Sequence, residues 1–298
     1  MRTGRFIHIS ASLIVLVLCL VDCTDKTEGG SHERGDVSRC RRIVSLAPSI
    51  TETLFALGLG GRVVGVTRYC RYPAQAQSIE KIGGYTDANL ERIVSLNPDI
   101  VILQPEHEKQ RSFLGRYGIE TLRVAYRSMT EICTSFARIG HICGAGERAD
   151  SLIAIFDSAL TAVAPSEDRP RVLLCVGRER PGSGSVQSVY AAGAGTFYHD
   201  LILAAGARNA FSDSIPRYPR VSLEGLVTVA PEVIVDIAPA MGGYACSTLA
   251  ADWDSIEEIP AVRAGNLFCL AADYATLPGP RALVLLEDLR VLLRKAGY

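Results

Sequence analysis

Six tyrosines sit in short polar or glycine-containing stretches: Tyr69 and Tyr72 in "RYCRYP", Tyr85 in "GGYTD", Tyr190 in a Gly/Ser-rich run, Tyr218 in "PRYPR" and Tyr274 in "ADYA". Tyrosine combines a broad apolar face with a hydrogen-bonding tip. A set of loop tyrosines therefore suits the walls of a pocket for a large, flat ligand with polar edges. Charges flank the set: Arg68 and Arg71 around the first pair, Arg178 and Arg180 where the Gly/Ser-rich run begins, and Asp273 next to Tyr274. Guanidinium forks turned inward would select carboxylates or phosphates. Turned outward, the same arginines are ordinary surface charges, and the residues alone leave both readings open.

Other chemistries find less support. The five histidines, at positions 8, 32, 107, 141 and 199, are dispersed along the chain. That scatter argues against direct capture of a bare metal ion and against a Cys/His nucleophile. "GSGSV" (182–186) and "GAGTF" (193–197) look like phosphate cradles, but neither carries a full phosphate-loop or dinucleotide fingerprint. They read as flexible glycine-rich loops. No catalytic residue, resident metal or cofactor is expected, and any metal should arrive inside its chelate.

A second constellation is a repeat. "NLERIVSLNPDIVI" (89–102) returns as "SLEGLVTVAPEVIV" (222–235), aligning Leu90 with Leu223, Glu91 with Glu224, Val94 with Val227 and Pro98 with Pro231. In each copy a capping residue, Asn89 or Ser222, opens a short helix that must stop before the proline, and a buried strand follows. Glu91 and Glu224 fall at the second helical position. There a carboxylate stabilises its own helix by about 0.3–1 kcal/mol, which explains either glutamate but not their recurrence at one place in both copies. Matching carboxylates suit a partner with two equivalent basic patches, such as a symmetric dimer. Tyr85 and Tyr218 stand six residues ahead of the two glutamates.

The elements that must position these groups form two similar halves. With 298 residues, 48% hydrophobic, 21% charged and a net charge of −1, the chain can build two cores and carries no signature of a nucleic-acid partner. Residues 1–23 read as an export signal: Arg2 and Arg5 precede the short apolar run "LIVLVLCLV", which ends at "VDC". "LVDC" resembles a lipoprotein cleavage box that would place a lipid on Cys23. Asp22 is unusual there, so plain cleavage or an uncleaved anchor stays open. Residues 24–40 form a polar tether, residues 41–140 an α/β lobe of alternating strands and helices, residues 141–166 a single long bridging helix, and residues 167–298 a second α/β lobe. The spacing of Ser49 and Glu52 predicts a capping box at the start of the first helix. Seven cysteines remain beyond residue 23, an odd number whose pairing sequence does not give, and those in "VLLCV" and "LFCLA" read as buried hydrophobes.

The order of "IVSLAPSITETLFALGLGGRVVGVT", "YCRYP", "IGGYTDANLERIVSLNPDIVI", the mid-chain helix and "YPRVSLEGLVTVAPEVIV" resembles the substrate-binding proteins of bacterial ABC importers for cobalamin and iron chelates. The resemblance covers nearly all of the chain beyond residue 40. It implies the helical-backbone periplasmic binding protein fold, two Rossmann-like α/β lobes joined by one helix that permits little closure. It also implies a metal chelate, cobalamin or a related corrinoid, held between the lobes against Tyr69, Tyr85, Tyr218, Asp273 and Tyr274. Glu91 and Glu224 would then dock arginines on the two halves of an ABC permease dimer that works with ATPase subunits, from an exported, periplasmic or cell-surface position. A ferric siderophore or haem is the alternative ligand, favoured if Arg68, Arg71 and Arg178 face inward. A sensory or structural lipoprotein is the remaining reading.

Overall fold

Strand β1 (Ile43–Ser45) enters the middle of a parallel sheet and is followed by helix α1 (Pro48–Ala56), β2 (Val63–Val66), α2 (Leu90–Ser95), β3 (Ile100–Leu103), α3 (Glu108–Arg116) and β4 (Glu120–Arg123). The computed structural model describes residues 40–161, 168–213, 216–238 and 245–298, so the export signal, Cys23 and nearly all of the tether lie outside the described residues. The strand order is β2-β1-β3-β4. Alternate residues of β1 and β3 feed opposite layers: Ile43, Ile100 and Ile102 pack into one apolar cluster, Val44, Val101 and Leu103 into another. Such continuous β-branched strands need helices on both faces, and the βα alternation supplies them.

The connector is a helical hairpin. Helix α4 (Met129–Cys143) ends at Gly144, whose φ of 70° is the left-handed conformation that closes a helix, and α5 (Gly146–Ala159) follows. The bridging helix is thus shorter than the 141–166 expected. Residues 141–143 complete the preceding helix, because the glycine at 144 breaks the apolar period, and 162–167 lie outside the described residues. Phe136 of α4 meets Phe156 of α5 edge to face at 5.3 Å, both fully buried.

The second lobe contains β5 (Arg171–Arg178), β6 (Ser188–Ala191), α6 (Phe197–Ala204), β7 (Arg208–Asn209), β8 (Arg220–Ser222), α7 (Leu223–Val229), β9 (Val233–Ile237), α8 (Cys246–Ala251), α9 (Pro260–Ala264), β10 (Leu267–Leu270) and α10 (Ala282–Lys295). Its sheet runs β10-β9-β5-β6-β8, with β7 beside β5. β6 pairs antiparallel with both β5 and β8, so part of the expected Gly/Ser loop is a hairpin strand. Glycine content masked that strand, because only four residues of it alternate.

One apolar layer unites the halves. Ile50 and Leu54 of α1, Phe136, Phe156, Leu201 of α6, and Leu285, Leu289 and Leu292 of α10 belong to the same buried cluster as β-strand residues of both sheets. Two disulfides are formed, Cys40–Cys143 and Cys246–Cys269, while Cys70, Cys133 and Cys175 are free among the described residues. Cys269 therefore departs from the buried-hydrophobe reading, whereas Cys175 has its thiol buried as expected. The Ser49–Glu52 capping box is not formed: α1 starts from Ala47 with a proline in its first turn, and the Glu52 carboxylate turns to Arg281 instead.

Candidate functional site

Loops at the carboxyl ends of the strands converge on a cleft of about 430 Å³ between the lobes, within the usual range for small-molecule sites. The first lobe contributes Gln104, Pro105 and Glu106 after β3, and Ala125, Tyr126 and Arg127 after β4. Val176, Phe197, Tyr198, Tyr218, Thr276 and Pro278 line it from the second. Two of the tyrosines show the ligand mainly carbon, because their hydroxyls are engaged elsewhere. Tyr126 shares a hydrogen bond of 3.0 Å with Thr53, and Tyr198 donates to the Ala275 carbonyl at 2.8 Å. Burial pushes both phenols well above their ordinary range. Tyr218 is 42% exposed and lines the wall.

Behind the first-lobe wall lies a fixed network. The Tyr85 hydroxyl donates to Gln104 Oε1 at 2.5 Å, and its ring meets the buried His107 edge to face at 4.6 Å. The Gln104 backbone N–H donates to His107 Nδ1 at 3.1 Å, so Nε2 carries the proton and donates to the Tyr85 carbonyl at 2.8 Å. Charging His107 would set an N–H against an N–H. Burial holds its pKa below the ordinary value, with Tyr85 and Glu106 opposing more weakly. The group is neutral in the fold, so its contribution to stability is full above about pH 6.5 and is lost as the pH falls below it. His107→Gln should flatten that acid slope, as read by urea unfolding at about pH 7.5 and about pH 5.5.

The arginines near the cleft mostly carry their own carboxylates. Arg127 is paired with Glu131, Arg68 with Asp87 at 2.6 Å, Arg220 with Glu179 at 2.8 Å, and Arg281 with Glu52 and Asp273. Arg178 is the clearest departure from expectation. Its side chain is 3% exposed, held between Asp236 and Asp252, and it does not reach the cleft lining. Its position at the end of a strand that enters the core, rather than in a loop, is the reason.

The sequence pattern of the periplasmic binding proteins matches residues 43–274. The chain belongs to that family. This binding protein is 30% identical over 262 residues to an uncharacterised ABC transporter substrate-binding lipoprotein of Bacillus subtilis, covering 84% of this chain and 78% of that one. It is 28% identical over 248 residues to a vitamin B12-binding protein of Vibrio campbellii, covering 82% and 86%. A periplasmic heme-binding protein from Roseiflexus sp. RS-1, in apo form, superposes with a TM-score of 0.70 at 28% identity, covering 87% and 99%.

Within the binding protein, Tyr218 is the expected residue that lines the cleft directly, and Tyr85 stands behind it through Gln104. Tyr69 and the exposed Tyr72 and Arg71 follow β2, with Tyr72 over the Arg281 guanidinium. Tyr190 is exposed on β6, opposite Arg220. Asp273 and Tyr274 begin the turn 273–276 that brings Thr276 to the cleft, but the Tyr274 hydroxyl donates inward to Asp288 at 2.6 Å. Glu91 and Glu224 are both exposed at the second position of α2 and α7, capped by Asn89 and Ser222, and neither has an ion-pair partner among the described residues.

Sequence reasoning missed Gln104, Glu106, Tyr126, Arg127, Phe197 and Tyr198. A rule was available for the first four, since each stands at or just beyond the carboxyl end of a strand expected from the sequence. Phe197 and Tyr198 directly follow "GAGT", a stretch read only for its glycines. No cluster of metal-ligating side chains occurs among the described residues.

Proposed function

We propose that the protein is the substrate-binding component of an ABC importer, capturing cobalamin or a related corrinoid in the interlobe cleft and delivering it to a membrane permease. The observation that carries this reading is an aromatic wall beside which the lining arginine, Arg127, is already neutralised by Glu131. Forks already filled by carboxylates leave little to recruit a polyanion, whereas Phe197, Tyr198, Tyr126 and Tyr218 offer area to a broad ring system with amide fringes. The cobalt would enter inside its macrocycle. The relatives named for vitamin B12 binding support the same choice.

Haem or a ferric siderophore is the second reading. It draws on Arg71 and Arg217, exposed arginines that form no salt bridge among the described residues, and on the heme-binding neighbour. Glu91 and Glu224 are the docking carboxylates for the two permease halves. Cys23 is the lipid attachment site that holds the exported protein to the membrane.

Calorimetry and absorbance titration against cyanocobalamin, cobinamide, haem and a ferric siderophore test the ligand. Cyanocobalamin should bind one to one and more tightly than haem. Preference for haem would transfer the assignment to the second reading, and binding of none of the four would sink both.

A further inference from the structure

Arg281, the residue before α10, lies where the halves of the molecule meet. Its Nε and Nη2 donate to Glu52 of α1 at 2.9 and 2.5 Å, and its Nη1 and Nη2 donate to Asp273 at 2.8 and 3.1 Å. Four of the five N–H groups of the fork are thereby used, in a planar geometry that a lysine cannot reproduce. One arm crosses between the lobes and is shielded: Arg281 is 12% exposed and Glu52 3%. The other arm reaches Asp273, which is 47% exposed and begins the turn that carries Thr276 to the cleft. Beside it, a Cβ built on Gly279 would stand 3.7 Å from the Ser49 carbonyl, so the segment before α10 lies directly against the start of α1.

An aromatic lid covers this junction. The Tyr72 ring sits 4.1 Å from the guanidinium carbon and the Tyr274 ring 5.7 Å. A cation over a ring face is attracted by it, and the attraction grows as water is removed. Tyr72 is itself 44% exposed. A ligand that covers its outer face would dry the ion pair beneath and strengthen it. Solvated pairs such as Arg68–Asp87, with both partners more than half exposed, have no such lever.

We infer that Arg281 is a positioning residue: it ties α1 of the first lobe to the cleft-lining turn of the second, seats Tyr72, and so sets how readily the lobes part around a bound ligand. The ligand half of the test rests on the proposed corrinoid reading; the ligand-free half does not.

In the ligand-free protein, Arg281→Met should speed hydrogen exchange in 48–56 and in 273–279 while leaving α3 unchanged. With cyanocobalamin as the probe, its dissociation should be about tenfold faster and its association nearly unaltered, since tuning of one interface acts mainly on release. Tyr72→Leu, which removes the ring face, should move release in the direction of Arg281→Met. Should Arg281→Met not fold, Arg281→Lys decides: charge without the fork should give a smaller change of the same sign. Unchanged exchange in both segments, or slower association with unaltered release, overturns the inference. If cyanocobalamin binds neither protein, the corrinoid reading fails and the exchange measurement alone decides the tie.

Discussion

Glu91→Arg combined with Glu224→Arg should abolish ligand-loaded stimulation of the permease while cyanocobalamin affinity stays within about twofold, because neither glutamate shares the cleft lining and sites without shared partners act independently. Both carboxylates stand exposed at the second position of a capped helix, one per lobe, and neither is occupied by an ion pair among the described residues. They lie outside the cleft lining. Setting arginine against arginine costs several kcal/mol at each contact, so each single reversal should weaken coupling strongly and the pair should end it. The measurement is ATP hydrolysis by the reconstituted importer, with uptake of labelled cyanocobalamin in parallel. Unchanged uptake by the doubly reversed protein would leave the glutamates as helix-end charges and nothing more.

The second large effect is thermodynamic. Arg178→Met should destabilise the protein by about 3–5 kcal/mol, the range seen when one partner of a buried ion cluster is removed. Asp236 and Asp252 would be left facing each other at 4% and 1% exposure. Asp252 also accepts the Gly182 and Gly184 backbone N–H groups at 2.6 Å each, and Asp236 accepts from the Trp253 indole at 3.1 Å. The loss should therefore appear in the denaturant midpoint and in faster proteolysis around 180–186. Adding Asp236→Asn and Asp252→Asn to the same chain should recover part of it by removing the stranded charges. A variant of unaltered stability with reduced ligand affinity would instead return Arg178 to the cleft.

What could be read from sequence followed from periodicity. The two lobes, the doubled helix-strand unit and the exposed glutamates all depend on local patterns of three to seven residues, and these persist in the fold. The site was less legible because it is built from long-range partners. Nothing local to "RVLLCVGR" announces that its final arginine will be buried against aspartates 58 and 74 positions away. Likewise Glu52 looked like a capping residue, since its spacing from Ser49 is right, yet its partner lies 229 positions on. Tyrosines were easy to find as a class. Which of them offers a hydroxyl and which only a ring depended on Thr53, Ala275 and Asp288, acceptors and donors that no spacing rule connects to them.

The Cys40–Cys143 bond gives the molecule a mechanical load path. Chain tension arriving through the residues before 40 would otherwise act on β1, a three-residue strand in the middle of its sheet, and peel it from both neighbours. The cross-link diverts that force at Cys40, three residues before the strand, into the end of α4. From there it spreads into α5 and the apolar layer common to both lobes. On the membrane attachment proposed above, a pull reaching Cys40 would thus pass into α4 before it could load the sheet that shapes half of the cleft.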